Sequence, residues 1–213
     1  MGLCNFLKTR QENEPTPKVP DGALEPDIVV YEDPELLPRQ CQCVLEGEGL
    51  RWFSSPVYYW VDVESFGKWS ASVSNVVINC MKDFEQVSGF RSFKVAKEGD
   101  ANIRVYMRKL DGMGGTLGLA YQAAGPLLDM GAHQSMRPPF VGDIVLDLSE
   151  NWTPSKLLGV MKHEVGHAIG LDHIEDDRAL MNPYFVGTTK LHAKDIAATV
   201  ERYGPTLARR SNA

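Results

Sequence analysis

His163, Glu164 and His167 stand in one stretch, HEVGHAIGLDH, which His173 closes. Two histidines four residues apart leave one face of a helix a turn apart. Their neutral nitrogens can then reach one zinc ion at roughly 2.0–2.1 Å. Glu164, beside the first histidine, would aim its carboxylate at a water on the metal rather than at the metal. Gly170 permits a backbone conformation that a side chain would resist, so the helix can stop and the chain turn sharply. That turn would bring His173 round as a third ligand. Three protein ligands leave one position open, which is the arrangement of a catalytic zinc and not of a structural one. The pattern HExxHxxGxxH takes up three of the chain's five histidines, so an accident of composition is a poor account of it.

The elements that must hold these residues follow from the surrounding pattern. Leu157, Leu158, Met161, Val165, Ala168 and Ile169 recur at threes and fours, which predicts an amphipathic helix starting near Ser155, after Thr153 and Pro154. Residues 57–63, rich in aromatic and β-branched side chains, predict a first strand. A long helix over 72–87 carries Val73, Val76, Val77, Cys80, Met81 and Phe84 on one face and closes at Ser88 and Gly89. Alternation over 93–96 and 103–107 predicts half-buried strands, with a candidate edge strand over 117–121 and a further strand over 144–148. Residues 123–140 show no period and read as loop, and a last helix runs from about 193 to 202. The sum is an α+β domain: a twisted mixed sheet with three helices.

HEVGHAIGLDH, followed by Ala179, Leu180, Met181, Asn182 and Pro183, resembles the zinc helix and Met-turn of a metzincin metalloprotease, specifically a matrixin of peptidase family M10. The resemblance extends to Gly114, Gly115, Thr116 and Leu117 at the start of the family's edge strand. It also takes in Gly142, Asp143, Asp147, Glu150, Asn151 and Trp152 ahead of the active-site helix, and Asp195, Ile196, Tyr203 and Gly204 in the last helix. It thus covers residues 50–204. It implies a zincin-like fold with Met181 beneath the histidines and Pro183 shaping the pocket for the residue after the scissile bond. A protein or peptide substrate would lie along the edge strand Leu117, Gly118, Leu119, Ala120 and Tyr121. The implied activity is that of a zinc-dependent endopeptidase, with Glu164 as general base and then acid. Ile174 follows the third histidine where many matrixins have Ser. A non-catalytic zinc-bearing binding or assembly protein of this fold is the alternative, and the retained Glu164 counts against it.

The same resemblance separates two further metal sites. Matrixins commonly hold a structural zinc through a His-x-Asp ahead of the edge strand, a His within it and a His in the next strand. Here the loop after Met107 is too short for the first, and Leu119 and Val145 occupy the other positions, so no second zinc is expected. His133 and His192 do not match those positions. Calcium is a separate expectation, since Asp111, Gly112 and Gly114 match the family's Asp-Gly-x-Gly while Asp147 and Glu150 match its distal carboxylate pair.

Composition fits one globular domain with an appendage: 213 residues, 43% hydrophobic. Residues 1–49 hold six of the thirteen prolines and the entire net charge of −6, which reads as an extended or disordered arm. Its functional reading is a pro-segment across the cleft. Pro38, Arg39, Gln40 and Cys41 approximate the matrixin pro-segment motif whose thiolate fills the open zinc position, with Gln40 inserted and Gln42 in place of Gly. Cys41 and Cys43 form C-x-C, which is not zinc-finger spacing, and Cys80 reads as a core thiol. Residues 205–213 are a tail. No basic patch suggests nucleic acid, and no stretch predicts a membrane span. The first twenty residues hold no signal-type apolar run, so a cytoplasmic, virus- or phage-associated, or non-Sec exported protein is expected. Pattern alone says nothing of oligomeric state.

Overall fold

Val57, Tyr59 and Val61 point inward in alternation with the more exposed Tyr58 and Trp60, the period of a strand with one face on a core. The chain is described here by a computed structural model covering residues 51–53, 55–123 and 141–206, with the backbone of Ile28–Val29. The strand just named, β2 (Val57–Val61), follows β1 (Ile28–Val29) and precedes β3 (Ser92–Lys94), β4 (Ile103–Arg108), β5 (Thr116–Ala120) and β6 (Ile144–Asp147). They form one sheet in the order β1-β5-β6-β4-β2-β3. Strands β3, β2, β4 and β6 run parallel, while β5 runs antiparallel to β6. This is the mixed sheet that the alternation predicted.

Three helices complete the α+β fold: α1 (Ser70–Val87), α2 (Pro154–Ala168) and α3 (Ala193–Tyr203). Helix α1 buries Val73, Val77, Cys80, Met81 and Phe84, spaced by threes and fours, against the core. It packs on α2 and α3, and α2 lies against β5 and β6. Cys80 is a core thiol, and burial pushes its pKa up to about 12.

Several boundaries differ from the pattern for local reasons. β2 stops at Val61 because Asp62 turns the chain, its carboxylate accepting from Ser65 N at 3.4 Å. β6 ends at Asp147, whose carboxylate accepts from Ser149 N at 2.7 Å, so Leu148 falls outside the strand. β5 starts at Thr116 and its ladder with β6 ends at Ala120 opposite Ile144. Tyr121 lies just beyond, donating its N–H to Asp143 O at 3.0 Å. The outer side of β5 is also not bare. Ile28 and Val29 pair with it antiparallel, opposite Gly118 and Thr116. The remainder of the arm, with Cys4, Cys41 and Cys43, lies outside the described residues, as do His133, most of the 123–140 loop and nearly all of the 205–213 tail.

Candidate active site

Helix α2 begins where Thr153 Oγ1 accepts from Lys156 N at 3.2 Å, with Pro154 at the first helical position where its missing N–H costs nothing. From Val160 to Ile169 every residue is buried, so the histidines are presented inside the protein rather than on its surface. The helix closes with Gly170 at φ 97°. Gly170 N donates to His167 O and Leu171 N to Gly166 O, at 2.8 and 2.9 Å, a Schellman closure that requires the left-handed residue. Two remaining terminal carbonyls are also met: Trp52 Nε1 donates to Ala168 O at 2.8 Å and Tyr203 Oη to Ile169 O at 2.6 Å.

That turn carries His173 back to the helix. His167 Nε2 lies 2.9 Å from His163 Nε2 and 3.1 Å from His173 Nε2. The other ring nitrogens settle what these contacts are. His163 Nδ1 is 2.7 Å from Leu180 O and His167 Nδ1 is 2.8 Å from Leu171 O. A carbonyl only accepts, so each of these Nδ1 atoms carries the proton and each Nε2 offers a lone pair. Burial, with the neighbouring imidazoles as a lesser cause, holds both rings well below the ordinary histidine pKa, so they are neutral at pH 7. Lone pairs facing each other at this distance repel unless a cation sits among them. Tetrahedral zinc with bonds of about 2.0–2.1 Å sets its ligand nitrogens about 3.3 Å apart, so the donor set fits zinc. Among the described residues these three histidines are the one group of ligand side chains with atoms all within 4.8 Å of one another.

Glu164 is fully buried beside them. Strand β5 lies directly on it: a Cβ at Gly118 would meet Glu164 Oε1 at 2.5 Å. Met181 runs beneath the helix, its sulfur packed where Gly166 has no side chain. Ile174 N donates to Met181 O at 2.8 Å, tying the residue after His173 to the same turn. Pro183 is buried in the segment that follows. That segment is held against the back of α2, where Lys162 Nζ reaches both Thr189 O and Asp83 Oδ2 at 2.5 Å.

The acidic residues around the 110–116 loop are also brought together, but with a different kind of partner. Asp147 accepts from Gly112 N at 3.1 Å and from Leu110 N and Asp111 N at 3.4 Å. Asp111 accepts from Thr116 N and Oγ1, the latter at 2.7 Å. Glu150 accepts from Gly114 N at 2.7 Å and from Lys156 Nζ at 2.9 Å. Nearby, Leu119 and Val145 are cross-strand partners and form a small apolar cluster with Tyr121.

The sequence placed Asp195 in the last helix but did not show what it braces. Asp195, buried in α3, accepts from Leu180 N at 2.8 Å and Met181 N at 3.1 Å, and so sets the carbonyl that orients His163. The same carboxylate takes His192 N at 2.7 Å in a capping box, which makes His192 a helix cap. A cap residue followed three positions later by a carboxylate was the available signal.

With the histidines, the glycine turn and the methionine in one frame, the fold is that of a metzincin. The sequence profile of the matrixin family matches residues 51–204, and the chain belongs to that family. It is 28% identical over 184 residues to interstitial collagenase of Equus caballus, covering 80% of this chain and 36% of that protein. It is likewise 28% identical over 174 residues to a probable matrix metalloproteinase of Invertebrate iridescent virus 3, covering 75% of this chain and 42% of the relative. Karilysin of Tannerella forsythia is 25% identical over 166 residues, covering 74% and 34%. The chain therefore spans well under half the length of these relatives.

Proposed function

We propose that the protein is a zinc-dependent endopeptidase acting on protein or peptide substrates. The observation that carries the reading is the convergence of three imidazole nitrogens beside a buried carboxylate, all directly under an antiparallel strand. Zinc, when bound by His163, His167 and His173, supplies a Lewis acid that polarises a carbonyl and acidifies water. The chain's own residues do the rest. The backbone of β5 aligns an extended peptide, and Gly118 lets that strand lie directly against Glu164. Glu164 takes a proton on its carboxylate and returns it to the departing amine, so one group acts as base and then acid. A non-catalytic zinc fold would account for the histidines but not for a carboxylate buried beside them. Digestion of a peptide library, with zinc and with chelator, tests this: cleavage lost on chelation and regained with zinc is expected, and cleavage indifferent to both overturns it.

Three finer readings accompany it. One zinc per chain is expected, because Leu119 and Val145 offer a second ion no lone pair, and elemental analysis of purified protein checks this. Calcium is proposed at Asp111, Gly112, Gly114, Asp147 and Glu150, in competition with the amides and Lys156 that already meet those carboxylates. The arm is proposed as a pro-segment, supported by the pairing of Ile28 opposite Gly118, the residue that lies on Glu164. No helix among the described residues is long and apolar enough to cross a membrane.

A further inference from the structure

His163 and His167 belong to a helix, but His173 stands on the turn beyond it, and a ligand on a turn needs its own support. That support comes from Gln122, two residues past the end of β5 and only 4% exposed. Its Nε2 lies 3.1 Å from Leu171 O and 3.2 Å from Asp172 Oδ1. Both partners are acceptors, so the amide nitrogen must face them, and its two hydrogens match them one to one. Leu171 O is the carbonyl that also receives the Nδ1 proton of His167. Asp172 is the residue immediately before His173, and its other oxygen takes Arg202 Nη2 of α3 at 2.5 Å. One buried amide therefore touches the orienting carbonyl of the second ligand and the side chain next to the third. Its own Oε1 is buried with no hydrogen-bond partner among the described residues. Leaving such an oxygen unmet costs stability, and the cost is explained if the nitrogen's position is what matters.

We infer that Gln122 is a positioning residue for the zinc ligands, linking the strand that aligns the peptide to His167 and His173 through Leu171 O and Asp172. Arg202 completes the support by holding Asp172 from the opposite side. The inference rests on the three-histidine zinc reading above. Partners that fix a metal ligand's orientation typically set metal affinity by about 10- to 100-fold.

The test uses the full chain with Gln122→Met, which keeps the length of the side chain and removes both donors. Zinc affinity is measured by competition with a chromogenic chelator, the site by the visible spectrum of the cobalt(II)-substituted protein, and the fold by melting of the metal-free form. The expected result is zinc binding weakened by about 10-fold or more and a changed cobalt spectrum, with the metal-free melting transition still cooperative. Asp172→Asn, at a half-exposed position, keeps an acceptor for Gln122 but removes the charge that holds Arg202. It should weaken zinc in the same direction by a smaller factor, and it stands in for Gln122→Met if that variant does not fold. Wild-type affinity and an unchanged cobalt spectrum in the folded variant would overturn the inference. A wild-type protein that binds no zinc would instead overturn the functional reading beneath it.

Discussion

The histidine centre and the carboxylate loop are both clusters of metal-ligating side chains, and they are built in opposite ways. At the histidines the N–H groups are turned outward: Nδ1 of His163 and His167 face carbonyls, and His167 Nε2 lies 2.9 Å from that of His163 and 3.1 Å from that of His173. At the loop the acceptors are already met, by the amides of Gly112, Gly114 and Thr116 and by the ammonium of Lys156. The first arrangement is repulsive until a cation enters. The second holds together without one. A list of ligand residue types does not distinguish the two; the direction of the neighbouring protons does.

The largest way to break this contrast is to remove the group proposed to make the histidine centre catalytic. Glu164→Ala should lower peptide hydrolysis by at least about 10²-fold, the low end for lost acid–base catalysis, with zinc content unchanged. Near-normal turnover would remove Glu164 from its role.

Metal removal and acid probe the same centre through stability. The histidine pKa values are lowered on folding, so between the folded and unfolded values the unfolded chain binds more protons. Stability from His163 and His167 is therefore fully present above about pH 6.5 and is lost as pH falls through that value and below. Metal-free protein should melt lower at pH 5 than at pH 7, and zinc should raise the melting temperature more at pH 7 than at pH 5. A zinc effect that is flat with pH would contradict neutral histidine ligands.

The arm sharpens the comparison by testing what lies over the histidine centre. Deleting residues 1–49 should raise activity on a generic peptide several-fold if the pairing of Ile28 with Gly118 excludes substrate, an effect modest enough to follow by initial rates. Cys41→Ser should reproduce it only if that thiol reaches the metal. Unchanged rates in both would leave the arm a solvated tail.

The smallest effect belongs to the loop. Calcium should raise the melting temperature with concentration, but by less than zinc does, because it must displace amide and Lys156 contacts. Replacing Asp111, Asp147 and Glu150 by Asn, Asn and Gln should abolish that increment and leave zinc bound. A calcium effect larger than that of zinc would invert the contrast drawn above.

What the sequence alone determined is what depends on short-range periodicity. A four-residue spacing fixes two histidines on one helix face, and a glycine three residues on permits the turn that returns the third. The HExxH face, the strands from Val57 onward and the three helices were legible for that reason, since each follows from a local period of two or 3.6, whereas β1 at Ile28–Val29 fell in the stretch read as an extended arm. What the tertiary structure decided are the partners that arrive from far along the chain. Gln122 reaches Leu171 from 49 residues away, Arg202 reaches Asp172 from 30, and Asp195 reaches Leu180 from 15. No period in sequence points to such a contact, because a hydrogen bond between distant residues depends on how sheet and helices pack. The direction of the amides around Asp147 is of the same kind. A carboxylate's identity is written in the sequence, but whether it faces an N–H or a metal is set by the backbone that folds around it.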